Sequence, residues 1–352
     1  MPVTRGLNRF ETISVAAAVV LAGAAGAAAL ASAANTLVFV VSSGALLVLA
    51  WIVGVSTEQL AASRGPKVGG VLNATFGNAA ELIITVFAVR AGQLAVATAA
   101  ITGSILGNTL LVLGASFLIG GLRHGLLTFD RQVAGMNASM LALAVIGLGI
   151  PTLFGHVGNP ANEQALSDIT AAVLLLLYVL MLIYYFRSSE AAPRQAPPAG
   201  HWSTPLAMGL LAASTVAVAV IADVFVGTLD GVIVDLGISA VFLGLIIVPL
   251  VGNIAENIVG IKVAYEGDMD FSMLVSLGSS LQIALGVGPL LVFLSLLTPH
   301  HFDLQFPVIQ VVALVATVVI TALIAVDGES NWLEGAQLIA VYVIIATAVW
   351  YL

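Results

Sequence analysis

A glutamate sits inside an apolar run twice in this chain, and the same residue types surround it both times. The first copy reads Gly77-Asn78-Ala79-Ala80-Glu81-Leu82-Ile83 and the second Gly252-Asn253-Ile254-Ala255-Glu256-Asn257-Ile258. Matching positions lie 175 residues apart (252 − 77, 256 − 81), and the register persists at Gly103-Ser104-Ile105-Leu106 and Gly278-Ser279-Ser280-Leu281. On a helix, Asn78 and Gly77 precede Glu81 by three and four residues and share its face. Asn253 and Gly252 stand in the same relation to Glu256. The Gly-Asn pair weakens a helix just before each glutamate, and Asn73, Thr75 and Pro249 add further reasons for local unwinding. Two carboxylates, amide oxygens, freed carbonyls and hydroxyls form an all-oxygen set. That suits a hard cation such as Ca²⁺, which takes about six to eight oxygen ligands. No histidine or cysteine accompanies them, which argues against zinc or copper. With no metal between them, two facing carboxylates repel, so one is expected to hold a proton near neutral pH, and the pair to titrate together. A site that accepts either protons or one divalent cation is a minimal exchanger.

The elements that carry these motifs belong in a membrane. The 352 residues are 60% hydrophobic and 8% charged, against about 25% charged in soluble domains. Apolar runs reach the roughly 20 residues a helix needs to cross the hydrocarbon core, and nothing alternates as barrel strands do. A carboxylate at the centre of a membrane helix costs about 2.5–3.5 kcal/mol on insertion scales, and this chain accepts that cost at two matching positions. The absence of cysteine excludes disulfides, thiolate metal sites and thiol redox chemistry. The net charge of −8 partly reflects acidic residues within or beside spans, and no block of like charges marks an interaction tail.

Breaks at Gly, Pro and charged clusters predict about eleven spans, near 12–32, 35–63, 67–91, 93–120, 132–153, 165–187, 204–236, 239–265, 270–297, 305–325 and 331–352. The first is read as a retained helix, not a signal peptide. The seventh is interrupted by Asp223, Asp230 and Asp235. With a cytoplasmic N-terminus, nine of the ten Lys and Arg fall inside, all but Arg90, as the positive-inside rule requires. The expected fold is an all-α polytopic membrane protein: one N-terminal helix (1–34), a first five-helix repeat (35–187), a Pro-rich cytoplasmic linker (188–203) and a second five-helix repeat (204–352). Five spans per half, an odd number, make the repeats inverted, which puts a shared site near the midplane.

The helices after each motif supply Ser104 and Asn108 in the first copy, and Ser279, Ser280 and Gln282 in the second. These could orient the glutamates or complete a coordination shell. Equally, Gly103-x-x-x-Gly107 is a small-residue packing pattern, and serine favours close helix contact. Glu58 near the end of the second span reads either as a gate or proton relay, or as a helix-end charge near Arg64. Asp235 is expected at the membrane surface. Lys262, Glu266, Asp268 and Asp270 are expected in a solvated loop, and His300 and His301 on an exposed outer loop. Tyr184-Tyr185-Phe186-Arg187 reads as an interfacial anchor.

The stretch Leu72 to Ile83 resembles the first signature of the calcium/proton exchangers, the cation exchanger family of the wider calcium/cation antiporter superfamily. Val248-Pro249-Leu250-Val251 leading into Gly252-Asn253-Ile254-Ala255-Glu256, with Gly278-Ser279-Ser280-Leu281-Gln282-Ile283, resembles the second. Ser56-Thr57-Glu58-Gln59-Leu60 is also similar to a family pattern. The resemblance implies Ca²⁺/H⁺ antiport by alternating access, with Glu81 and Glu256 binding the cation and carrying protons. It implies Asn78, Asn253 and Gln282 as site-lining residues, and spans two and seven as gating helices. Two departures stand out. Asn257 replaces a histidine that usually follows the second glutamate, and the linker lacks the family's acidic helix. Partners are then Ca²⁺, protons and the bilayer, with no cofactor, nucleic acid or obligatory protein partner, and the expected location is a prokaryotic plasma membrane. The alternatives are a sodium-driven calcium exchanger and a passive divalent-cation channel; no nucleophile–base set or cofactor motif points to an enzyme.

Overall fold

The computed structural model describes residues 6–64, 66–157, 162–187 and 202–351. Most of the expected linker, including its Pro-rich stretch, lies outside the described residues. Ten described helical stretches are long and apolar enough to cross a membrane, and a bent pair raises the count to eleven, so the chain is an integral membrane protein with the expected number of spans.

Helix α1 (Arg9–Leu30) opens with a capping box in which Asn8 Oδ1 accepts from the Glu11 amide and the Glu11 carboxylate accepts from the Asn8 amide. Each reciprocal bond satisfies a backbone donor that a helix start leaves free. The first half continues with α2 (Asn35–Arg64), then α3 (Pro66–Phe76) and α4 (Ala79–Arg90), which are parted at Gly77 and Asn78. Next, α5 (Leu94–Leu106) passes through a π turn at Gly107–Val112 into α6 (Leu113–His124), followed by α7 (Arg131–Val157) and α8 (Glu163–Arg187).

The second half begins with α9 (Thr204–Gly227) and a short α10 (Leu229–Leu236). The chain then re-enters through α11 (Ala240–Phe242), a π turn (Leu243–Ile247), α12 (Val248–Gly252) and α13 (Ile254–Glu266). Helix α14 (Met269–Gln282) runs through a second π turn (Ile283–Val287) into α15 (Gly288–Ser295), and α16 (Val308–Asp327) and α17 (Trp332–Trp350) complete the bundle. Leu127 and Thr128 pair antiparallel with Ser330 and Glu329, a two-residue clip between the halves.

The expected seventh span divides. Its helix ends at Gly227, where the Thr228 hydroxyl turns back to the Phe225 carbonyl at 2.7 Å, and α10 lies at 119° to the following Ala240–Gly252 segment. Of the three aspartates that made this segment ambiguous, Asp230 and Asp235 ride on α10 and Asp223 on α9, and all three are exposed. Asp230 accepts from Gln93 Nε2 at 2.6 Å and Asp235 from Thr36 Oγ1 at 3.3 Å, holding α10 over the ends of α2 and α4.

The opening helices of the halves, α2 and α9, pack along one another, and α1 lies against α2. Helix α4 packs on α9 while α13 packs on α2, so each glutamate-bearing half-helix leans on the opening helix of the other repeat. At the end of the bundle that carries Arg9, Arg123, Arg131, Arg187 and Lys262, the buried Trp202 indole donates to Glu11 Oε2 at 2.9 Å, and its backbone amide to Gln59 Oε1 at 3.3 Å. No motif in the sequence signals this junction of α1, α2 and the start of α9.

Glycines allow the two repeats to interlock. A Cβ on Gly103 would fall onto the backbone of Leu245, and one on Gly244 onto Val96 and Ala99. Gly107 has open space instead, so the Gly103-x-x-x-Gly107 pattern works as packing only at its first position. Gly103→Ala is expected to destabilise the protein by about 1–3 kcal/mol through overpacking, read as a lower thermal unfolding midpoint in detergent, while Gly107→Ala leaves the midpoint unchanged or raised.

Candidate cation site

Both glutamates stand at the third position of a half-helix, Glu81 in α4 and Glu256 in α13, immediately after the helix break that the Gly-Asn pairs predict. Asn78 has φ −106° and ψ 25°, and Asn253 has φ −93° and ψ 11°. The breaks aim two helix N-termini at one place. Each contributes a partial positive charge worth about 0.3–1 kcal/mol to a nearby carboxylate.

The glycines of each motif make room for the glutamate of the other. A Cβ on Gly252 would lie 2.8 Å from Cδ and 2.9 Å from Oε1 of Glu81; one on Gly77 would lie 3.2 Å from Oε1 of Glu256. The carboxylates thus cross, each seated on the opposite repeat's break, and Glu81 is within electrostatic range of Glu256. This meeting of the halves is what the 175-residue repeat leads one to expect.

A hydrogen-bond chain links both repeats on one side of the pair. Asn78 Nδ2 donates to Gln282 Oε1 at 2.7 Å, Asn108 Nδ2 donates to Ser279 Oγ at 2.9 Å, and the Ser279 hydroxyl donates to Asn78 Oδ1 at 3.3 Å. Asn108 sits in one π turn and Gln282 caps the other, and such turns interrupt helices most often at functional sites. The structure therefore joins Asn78, Asn108, Ser279 and Gln282. Ser104, the repeat mate of Ser279, is buried but outside this chain of bonds.

What remains around the carboxylates is acceptor without donor. Both oxygens of Glu81, Oε2 of Glu256 and Oδ1 of Asn253 are buried and lack a hydrogen-bond partner, as does Oδ1 of Asn257. Leaving one such group unpaired costs about 1–3 kcal/mol, more when charged, so this cluster calls for protons or a cation. Among the described residues no three His, Cys, Asp or Glu side chains are arranged to hold a metal. A divalent ion here would take two carboxylates and draw the rest of its shell from amide and backbone oxygens, a mixture typical of Ca²⁺ ligation. Asn257, which departs from the family pattern, thus keeps an unpaired side-chain oxygen one residue after Glu256.

The acidic residues differ in burial. Glu81 is 2% exposed, whereas Glu256 is half-buried and Glu58 on α2 is exposed. Glu58 lies within electrostatic range of both Glu256 and Lys262, on the way from the arginine-bearing end of the bundle to the site. Lys262 and Glu266 form an exposed i,i+4 pair at 3.9 Å; they are solvated as expected, but on the last turns of α13, with Asp270 on α14, and not in a loop. His301 departs from its expected free exposure: Nε2 lies 3.6 Å from Asp168 and Nδ1 3.2 Å from Ser295 Oγ. Beside it, burial pushes the Asp303 carboxyl above the usual carboxylate range. Neither belongs to the glutamate site.

A model of the sodium/calcium exchanger protein family matches residues 34–187 and 206–351. The chain belongs to this family. Among its exchanger relatives, a Ca²⁺/H⁺ antiporter of Aphanothece halophytica is 37% identical over 338 residues, covering 89% of this chain and 90% of the relative. The Ca²⁺/H⁺ antiporter ChaA of Bacillus subtilis (strain 168) is 38% identical over 348 residues, covering 97% and 98%. The structure of native YfkE superposes with a TM-score of 0.85 at 36% identity, over 96% of this chain and all of the other. The H⁺/Ca²⁺ exchanger CAX shares the fold, with a TM-score of 0.75 at 16% identity.

The crossed seats give a direct prediction for this exchanger-family site. Gly252→Ala displaces the Glu81 carboxylate and is expected to weaken divalent-cation binding, measured by calorimetry in detergent, by about 10-fold or more. Wild-type affinity in that variant would mean that the Glu81–Gly252 contact does not shape the site.

Proposed function

We propose that this chain is a secondary active antiporter that exchanges Ca²⁺ for H⁺ across a membrane, using one site shared by Glu81 and Glu256. The observation that carries this reading is the cluster of orphaned acceptor oxygens around two crossed carboxylates. A cation satisfies all of them at once, and protons satisfy the carboxylates alone. The two occupancies compete for the same electron pairs, so loading one ejects the other, and antiport follows without a separate coupling device. The relatives named as Ca²⁺/H⁺ antiporters support this assignment at near-complete coverage.

Alternating access fits the layout. In this reading the mouth lies toward Glu58, which is exposed and within electrostatic range of the half-buried Glu256, at the arginine-bearing end, the cytoplasmic end under the positive-inside rule. Sliding α2 and α9 against the rest of the bundle would close that mouth and open the other, since each packs on the half-helix of the opposite repeat. The burial of Glu81 is unfavourable to a passive channel, which needs a path open at both ends. A sodium-driven exchanger would need further hydroxyl or acidic ligands, and Ser279 is the single hydroxyl in the hydrogen-bonded network.

Purified protein in proteoliposomes is expected to accumulate ⁴⁵Ca²⁺ when a pH gradient is imposed, with no change on adding or removing a Na⁺ gradient. Uptake that required Na⁺ would favour the sodium-driven reading, and flux dissipating an imposed Ca²⁺ gradient without proton movement would favour a channel. Glu81→Gln and Glu256→Gln should each reduce uptake by more than about 100-fold, because removing a group that merely orients a metal ligand already costs about 10- to 100-fold. Both variants should still elute as folded protein. Near-normal flux in either would defeat the site.

A further inference from the structure

At the arginine-bearing end, α16 and α17 leave a groove between them that takes no part in the glutamate site. Its apolar stretch, about 310 Å³, runs along Ile320, Ile324, Leu338 and Val341 and ends at Asp327 and Glu334. A polar stretch of about 490 Å³ shares those two carboxylates, adds that of Glu329, and continues past Ser330 to Arg131. Ser330 is 1% exposed, yet its hydroxyl has no hydrogen-bond partner, and Oε2 of Glu334 is likewise buried and unpaired. Asn331 fixes the start of α17 by accepting from the amides of Leu333 and Glu334, which holds the Glu334 side chain at the junction of the two stretches.

We propose that this groove binds a phospholipid with a primary-amine headgroup, of the phosphatidylethanolamine class. The apolar stretch lies between two membrane-spanning helices, where an acyl chain is the natural occupant. The ammonium group supplies the donors and the positive charge that Glu334 and Asp327 lack, and the Ser330 hydroxyl and Arg131 guanidinium face the phosphate. A bare divalent ion fits less well. Among the described residues no three His, Cys, Asp or Glu side chains are placed to hold a metal, Arg131 opposes a cation, and an ion leaves the apolar stretch unused. A choline headgroup carries the same charge but no N–H, so it cannot satisfy the buried carboxylate oxygen.

The test is thermal unfolding of the full-length protein in detergent, with ethanolamine, choline or glycerol phospholipids of identical chains, alongside native mass spectrometry of retained lipid. Phosphatidylethanolamine is expected to raise the midpoint by roughly 5 °C, phosphatidylcholine by far less. Asp327→Asn with Glu334→Gln should abolish the difference, and Arg131→Gln should reduce it. Asp327 is exposed, so Asp327→Asn alone is a variant that folds and should still weaken the preference. Equal effects of ethanolamine and choline lipids, or an undiminished preference in Asp327→Asn, would overturn the proposal. So would a Ca²⁺-induced rise without lipid that the double variant loses, since the groove would then be an ion site.

Discussion

Two carboxylates buried within range of one another in an apolar bundle set the terms for the rest of this structure. Like charges at close range in a medium of effective dielectric about 20 repel by several kcal/mol, before any cost of leaving water. A helix N-terminus returns only about 0.3–1 kcal/mol to each carboxylate. Both oxygens of Glu81 and one of Glu256 take no hydrogen bond. The helix breaks and the glycine seats nonetheless bring the pair together, and the protein gives up its backbone regularity at two matching points to do so.

The two motifs are close copies, but their surroundings are not. Asn78 is tied into a bonded chain with Gln282 and Ser279, while the side-chain oxygen of Asn253 stands free. Ser279 is the hub of that chain, and Ser104 is outside it. Glu81 is buried, and Glu256 is half-buried. Inverted repeats in one conformation have to differ in this way, because a site with identical halves would be equally open or equally closed toward both faces.

Much of this was legible from residue order. The paired motifs announced both glutamates, and the Gly-Asn pairs marked the breaks, because backbone weakness is a local property. The span count followed from apolar length and the placement of Arg and Lys. What stayed hidden depends on partners distant in sequence. Ser104 and Ser279 are equivalent in the repeat, and only tertiary packing separates them. The bend at Thr228 was blurred by aspartates that suited either a span or a surface helix. Glu11 and Trp202 lie 191 residues apart, and nothing near either in sequence points to the other.

That junction has a mechanical meaning. Trp202 grips Glu11 of α1 and Gln59 of α2 while standing two residues ahead of α9, so three helices that already pack side by side are also tied at one corner. Bonds from one residue to two helices couple the positions of all three. The first helix, which a five-plus-five repeat leaves as an apparent spare, is thereby fastened to the opening helices of both repeats.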